Sequence, residues 1–85
     1  MTISRVLIAN RGEIAVRVIR AADALGIETV LAVSEPDRDS MAAAMAGRVI
    51  CIGPASASAS YLNVGAVVMA ALAAGADAIH PGYGF

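Results

Sequence analysis

The sequence predicts an α/β fold, a parallel sheet of about four strands with three crossover helices. Two observations carry this expectation. Short β-branched and aliphatic runs alternate with helical patterns three times and end on a further apolar run, and the loops between them are short. No linker, repeat or charged low-complexity tract interrupts the pattern, so residues 1–85 read as one domain.

Arg5 to Ala9 reads as a buried strand that ends at Asn10-Arg11-Gly12. A helix follows at once, with Asn10 expected as N-cap, Glu13 as its capping-box partner, and Ala9 with Ile14 at the staple positions. Ile14, Ala15, Val18, Ile19, Ala22 and Leu25 form its expected apolar face, Glu13, Arg17, Arg20 and Asp23 its polar one, and Gly26 closes it. Glu28 to Val33 is the second strand. A turn at Ser34-Glu35-Pro36-Asp37 and a short Ala/Met helix over Ser40 to Ala46 lead to a third strand, Arg48 to Ile52. The loop Gly53 to Ser60 precedes an Ala-rich helix, Tyr61 to Ala74, with Ser60 as its expected cap and Gly75 as its stop. Asp77 to His80 is the fourth strand. The last helix is apolar nearly all round, so it is expected to be buried on more than one side, by the remainder of a longer protein or by a second subunit.

Composition narrows the function classes. A domain of 85 residues buries only about 60 to 65% of its unfolded surface, yet 59% of this chain is hydrophobic. Charge is sparse at 15% with a net value of −1, and the basic side consists of six Arg and no Lys. Arg11, Arg17 and Arg20 are interleaved with Glu13 and Asp23, so no basic patch marks a nucleic-acid partner. Val49 to Ala76 lacks charge, but its longest unbroken apolar stretch, Val64 to Ala74, falls short of the about 20 residues that span a membrane. Met1 stands just before the first strand, leaving no room for a leader, and the expectation is a cytoplasmic protein without a membrane partner. The single Cys51 excludes an internal disulfide and is expected to be a buried strand residue.

Two runs carry most of the chemistry: Ala9-Asn10-Arg11-Gly12-Glu13-Ile14-Ala15 and His80-Pro81-Gly82-Tyr83-Gly84-Phe85. Each follows a predicted strand, so both belong at the sheet edge where parallel α/β folds place their ligand crevice. Gly12 lets backbone approach a ligand, and the helix start offers free N–H groups. The turn matches neither G-x-G-x-x-G nor a Walker loop, so capping by Asn10 and Glu13 is its expected local role. Arg11 and Glu13 are read as structural, with Glu13 pairing with Arg17. His80 has no Cys, His or carboxylate at ligand spacing and is expected to be a hydrogen-bonded structural residue. Glu35 stands where dinucleotide-binding folds place a ribose acid, but without the glycine fingerprint it reads as turn chemistry. Met41, Met45 and Met69 are expected to be packing residues.

Five separated motifs, taken in order, make a more specific match. They are Val6-Leu7-Ile8-Ala9-Asn10-Arg11-Gly12-Glu13-Ile14-Ala15, Ser34-Glu35 with Asp37-Arg38-Asp39, Cys51-Ile52-Gly53-Pro54, Ser60-Tyr61-Leu62-Asn63, and the final hexamer. Together they resemble the N-terminal domain of biotin carboxylases, a Rossmann-like pre-ATP-grasp domain, here truncated before the ATP-grasp and C-terminal domains. That family serves acetyl-CoA, propionyl-CoA, methylcrotonyl-CoA, pyruvate and urea carboxylases, and through the first of these fatty acid biosynthesis. Gly47-Arg48, Ala42, Ser56-Ala57 and Ala24 depart from its usual pattern, all outside the two crevice runs.

The resemblance implies a parent enzyme, an ATP-dependent C–N ligase, that uses ATP and Mg²⁺ (or Mn²⁺) to turn bicarbonate into carboxyphosphate and then carboxylates biotin on a carrier protein. It implies as partners the rest of the carboxylase chain, a biotin carboxyl carrier protein or domain, a carboxyltransferase, and a homodimer mate met partly through Arg20. The family's catalytic groups lie beyond Phe85, so residues 1–85 are expected to be inactive alone and to bind no cofactor tightly. Tyr83 and Gly84 match positions beside the family's biotin pocket, while Asn10, Arg11, Gly12, Glu13, His80 and Gly82 would shape the crevice. The residues alone leave two other readings open: a stand-alone Rossmann-like nucleotide-binding module and a non-catalytic docking subunit.

Overall fold

The computed structural model describes residues 3–82. Its order is β1 (Arg5–Ile8), α1 (Gly12–Ala24), β2 (Glu28–Ser34), α2 (Met41–Met45), β3 (Arg48–Gly53), α3 (Val64–Ala74) and β4 (Ala78–His80), with 3₁₀ turns at Glu35–Asp37 and Ala57–Ala59. All pairings are parallel and the strands lie in the order β3-β2-β1-β4. The chain therefore steps one way from β1 to β3 and then crosses back to the far side of β1. That reversal sorts the helices into two layers.

Alternation along the strands supplies both layers at once. Val6, Ile8, Leu31 and Val33 pack with Ala15, Val16, Ile19 and Ala22 of α1 and Ala42 and Ala43 of α2. Leu7, Ala9, Val30, Ala32 and Ile52 pack on the other face with Val67, Ala70, Ala71 and Ala74 of α3 and with Tyr61. Leu7, Ile8, Ile19 and Leu31 are fully buried, each contributing about 1.5–3 kcal/mol relative to exposure.

Several local expectations are corrected. Asn10 is not the N-cap of α1: that position is Arg11, which makes no side-chain cap bond, because the Asn10 carboxamide is engaged elsewhere. Glu13 accordingly completes no capping box and instead accepts from Arg17 at 2.9 Å. Ala9 and Ile14 form no staple, since Ala9 faces the α3 layer while Ile14 belongs to α1 on the opposite face. On α1, Val16 joins the core and Leu25 is exposed, because Leu25 already lies in the chain reversal where Gly26 N–H donates to Asp23 and Ile27 N–H to Ala22.

The third helix begins at Val64, not Tyr61, and its cap is Asn63, whose Oδ1 accepts from Ala66 N–H at 3.1 Å. Ser60 instead donates its hydroxyl to the Ser56 carbonyl and closes the preceding turn. Within the described residues α3 is buried on one face only; Val64, Val68, Met69 and Leu72 stand exposed. Cys51 is exposed as well, since β3 is an edge strand whose Ile50 and Ile52, not Cys51, turn toward α3. Of the three methionines expected to pack, Met45 does so, whereas Met41 and Met69 are exposed.

Candidate crevice at the sheet switch point

The strand order reverses between β1 and β4, and both strands run parallel, so their carboxyl ends open side by side. Such a switch point is where open α/β sheets bind ligands. The two sequence runs meet there. Ala9 N–H donates to the His80 carbonyl at 3.0 Å, which extends the ladder one step past Ile8. Asn10, almost fully buried, donates through Nδ2 to the Pro81 carbonyl at 2.7 Å and accepts the Arg11 backbone N–H on Oδ1 at 2.8 Å.

Gly82 completes the junction with φ 66°, a conformation that glycine adopts without a side-chain penalty. A Cβ there would stand 2.6 Å from Asn10 Nδ2 and 2.8 Å from Ile14 Cγ2, so backbone and side chains are in direct apposition. The Gly82 N–H donates to His80 Nδ1 at 3.0 Å, a local bond on the exposed side of the junction. Glu13, Ile14, Arg17, Val18, His80 and Gly82 line an open groove of about 370 Å³ beside this junction. Gly12, at φ 65°, starts α1 at the same rim.

A second cluster, not foreseen in the sequence, braces the rim from the β2 side. Tyr61 donates its hydroxyl to Asp37 Oδ2 at 2.7 Å and accepts the Ser34 N–H at 3.1 Å, while Ser34 Oγ–H also reaches Asp37 at 2.8 Å. The Arg11 guanidinium stands 3.9 Å from the same carboxylate and 5.9 Å from the Tyr61 ring centre. The Tyr61 hydrogen bond, followed by Ser34 and the Arg11 charge, holds the Asp37 carboxyl below its ordinary range against the opposing effect of partial burial. Burial and donation to Asp37 push the Tyr61 phenol up. The sequence pattern places Tyr61 at the start of a helix; the signal for its actual role is a tyrosine flanked by turn residues, whose hydroxyl needs a partner when the ring is buried.

Arg20 is exposed on α1 and borders a shallow depression with Glu13, Val16, Ser40 and Met41. Glu35 pairs with Arg38 at 3.1 Å within its own turn, as turn chemistry requires. Tyr83 and Gly84 lie outside the described residues. Among the described residues no group of three or more His, Cys, Asp or Glu is placed to hold a metal ion, and no helix is long and apolar enough to cross a membrane. The rim thus combines a groove with a packed junction.

Comparison with known proteins agrees with this geometry. The family model described as the biotin carboxylase N-terminal domain matches residues 2–85. Biotin carboxylase 1 of Bacillus subtilis is 58% identical over 83 residues, covering 98% of this chain and 18% of that protein. The crystal structure of Kluyveromyces lactis urea carboxylase superposes with a TM-score of 0.94 at 41% identity, over 98% of this chain and 7% of that one. The biotin carboxylase domain dimer of Hydrogenobacter thermophilus 2-oxoglutarate carboxylase, in complex with MgADP, ADP and bicarbonate, gives a TM-score of 0.92 at 47% identity, over 100% of this chain and 18% of that one. The chain thus spans less than a fifth of the length of these relatives. With the sheet order, the joined turns and the sequence match all in agreement, the chain belongs to the biotin carboxylase N-terminal domain family.

Proposed function

We propose that these residues form the N-terminal wall of an ATP-dependent biotin carboxylase, a C–N ligase that carboxylates carrier-borne biotin with bicarbonate through carboxyphosphate. The observation that carries this reading is the Asn10–Pro81 hydrogen bond at 2.7 Å, which locks the two family motifs together at the switch point. Tyr83 and Gly84, next in sequence after that junction, would supply a packing surface and a close backbone approach to a flat bicyclic ligand. Nucleotide and Mg²⁺ are assigned to the remainder of a parent polypeptide of the relatives' length, since the turn after β1 matches neither G-x-G-x-x-G nor a Walker loop. A related biotin carboxylase domain dimer, of which this chain spans 18%, is in complex with MgADP, ADP and bicarbonate.

In this reading the rim residues bind and orient. Asn10, Gly12 and Gly82 shape the crevice, Arg11 is held over Tyr61 and beside Asp37, and Arg20 presents a charge to a homodimer mate. A carrier protein, a carboxyltransferase and a cytoplasmic location follow from the same reading. The deciding experiment is ATP hydrolysis by the complete gene product, with and without bicarbonate and free biotin. Dependence on both is the expected result, and hydrolysis indifferent to both would reject the assignment. Residues 1–85 alone are expected to be inactive in this assay.

A further inference from the structure

His80 ends β4, and its side chain lines both the groove at the junction and the apolar one that continues along α1 toward Ile3 and Leu25. Its Nδ1 accepts the Gly82 N–H, two residues on, at 3.0 Å. Asn and Asp side chains close turns on their own backbone in the same way, and here a ring nitrogen stands in for the carbonyl oxygen. The difference is chemical. A neutral imidazole accepts only on the nitrogen that carries no proton, so this bond requires the form protonated on Nε2, and an imidazolium has no acceptor at all. Held by the bond, Gly82 keeps φ 66° and leaves no room for a Cβ against Asn10 and Ile14, forming one wall of the groove.

We propose that His80 is a proton-operated latch on the rim of the crevice: the neutral imidazole holds Gly82 against α1, and the imidazolium lets it go. Histidine is the side chain type that changes charge between about pH 5 and 8, so the latch is set within that window. The direction follows from the bond itself. It is present in mild alkali, where Nδ1 keeps its lone pair, and is lost as acid fills that lone pair. Glu13 and Arg17 of α1 are the charged groups that share the groove, and they pair with each other at 2.9 Å, which leaves the groove without net charge. From β1 the register partner of His80 is Ile8, the neighbouring groove adds Val6 and Ile3, and none of these titrates. Asp77 is engaged with Ser4 and Arg5 just before β4 begins. The Asn10–Pro81 bond does not involve the imidazole, so the release is local to Gly82 and the strand stays in place. The latch is a property of these residues and holds with or without the proposed carboxylase activity.

Hydrogen–deuterium exchange resolved to single amides, on the complete gene product, tests it. Each rate is divided by that of an unstructured peptide at the same pH, because intrinsic exchange itself slows in mild acid. In the unsubstituted protein the protection of the Gly82 amide should fall about threefold from about pH 8 to about pH 5.5, the scale of one solvent-facing hydrogen bond. The Ala9 and Asp77 amides, which donate to the carbonyls of His80 and Arg5, should keep theirs. His80→Asn puts an amide oxygen in the place of Nδ1 and should hold Gly82 equally at both pH values. His80→Phe has no acceptor and should leave Gly82 weakly protected at both. His80 is exposed, so neither substitution disturbs the core. Gly82 protection that is the same at both pH values in the unsubstituted protein overturns the proposal. So does a fall of equal size in His80→Asn, or one shared by Ala9 and Asp77, which a general loosening of the fold would produce.

Discussion

Tyr61 donates its hydroxyl to the carboxylate of Asp37 across 24 positions of sequence, and this one bond ties the turn after β2 to the loop before α3. Because the same hydroxyl accepts the Ser34 N–H, the ring carries a polar load at each end of its only heteroatom. Removal of this hydroxyl would take from the buried Ser34 N–H its acceptor while Asp37 keeps the Ser34 hydroxyl.

Tyr61→Phe should therefore cost about 2 kcal/mol, because it leaves the Ser34 N–H unpaired in the interior and takes a donor from Asp37. Denaturant unfolding followed by circular dichroism measures the difference. A change below about 0.5 kcal/mol would mean that water replaces the phenol at no cost. The ring itself stays, so packing against Ala9 and Val67 is preserved and the effect isolates the hydroxyl.

Acid should weaken the fold through two carboxyls. Asp77 accepts from the backbone and hydroxyl of Ser4 and the backbone of Arg5, and those bonds hold its carboxyl below the ordinary range. Asp37 is lowered chiefly by Tyr61. For a depressed carboxyl, the contribution is complete above its unfolded pKa of about 3.9 and is lost as pH falls through its lower folded value. The unfolding midpoint should thus be flat above about pH 5 and drop below it. Asp77→Asn and Asp37→Asn should each make that drop shallower; a slope identical to the parent's would remove these two groups as its source.

The strands and layers were legible because hydrophobic alternation and turn residues act locally and agree with one another. Arg5 to Ile8, Glu28 to Val33 and Arg48 to Ile52 all emerged as strands, and Gly26 and Gly75 stop their helices as expected. Cap assignments failed where two polar residues competed for one role. Asn10 has a partner far along the chain, and no local rule weighs Pro81 against the N–H of Gly12 or Glu13. Ser60 lost to Asn63 for the same reason, its hydroxyl being taken by the Ser56 carbonyl. The Asp37–Tyr61 cluster was illegible because it depends on how the loop between β3 and α3 folds back, which periodicity does not encode.

Cys51 should react fully with a thiol reagent in the native protein. Composition alone predicts a buried thiol, but β3 lies at the sheet edge and the Cys51 Sγ stands exposed beside Glu35 Oε2 at 3.5 Å and the Gly53 carbonyl at 3.7 Å. Stoichiometric labelling without denaturant is the expected outcome, read by mass spectrometry. A thiol that reacts only after unfolding would place the residue in the interior.

The two faces of α3 should respond oppositely to substitution. One face buries Val67, Ala70, Ala71 and Ala74 against the sheet, while Val64 at 74%, Met69 at 67% and Leu72 at 72% remain exposed. Leu, Met and Glu have similar helix propensities, so Met69→Glu with Leu72→Glu should change the stability of residues 1–85 by no more than about 0.5 kcal/mol. Val67→Ala, on the inner face, removes buried methyl groups and leaves space behind, at a cost of about 1–2 kcal/mol. The exposed face should also bind a hydrophobic dye, and the double Glu substitution should abolish most of that signal. Were the double variant to destabilise the chain as much as Val67→Ala does, the outer face would be packed in solution, as it would be if a second copy of the chain covered it. Sedimentation of the unsubstituted chain separates that case, because a monomer that binds dye has an open α3 face.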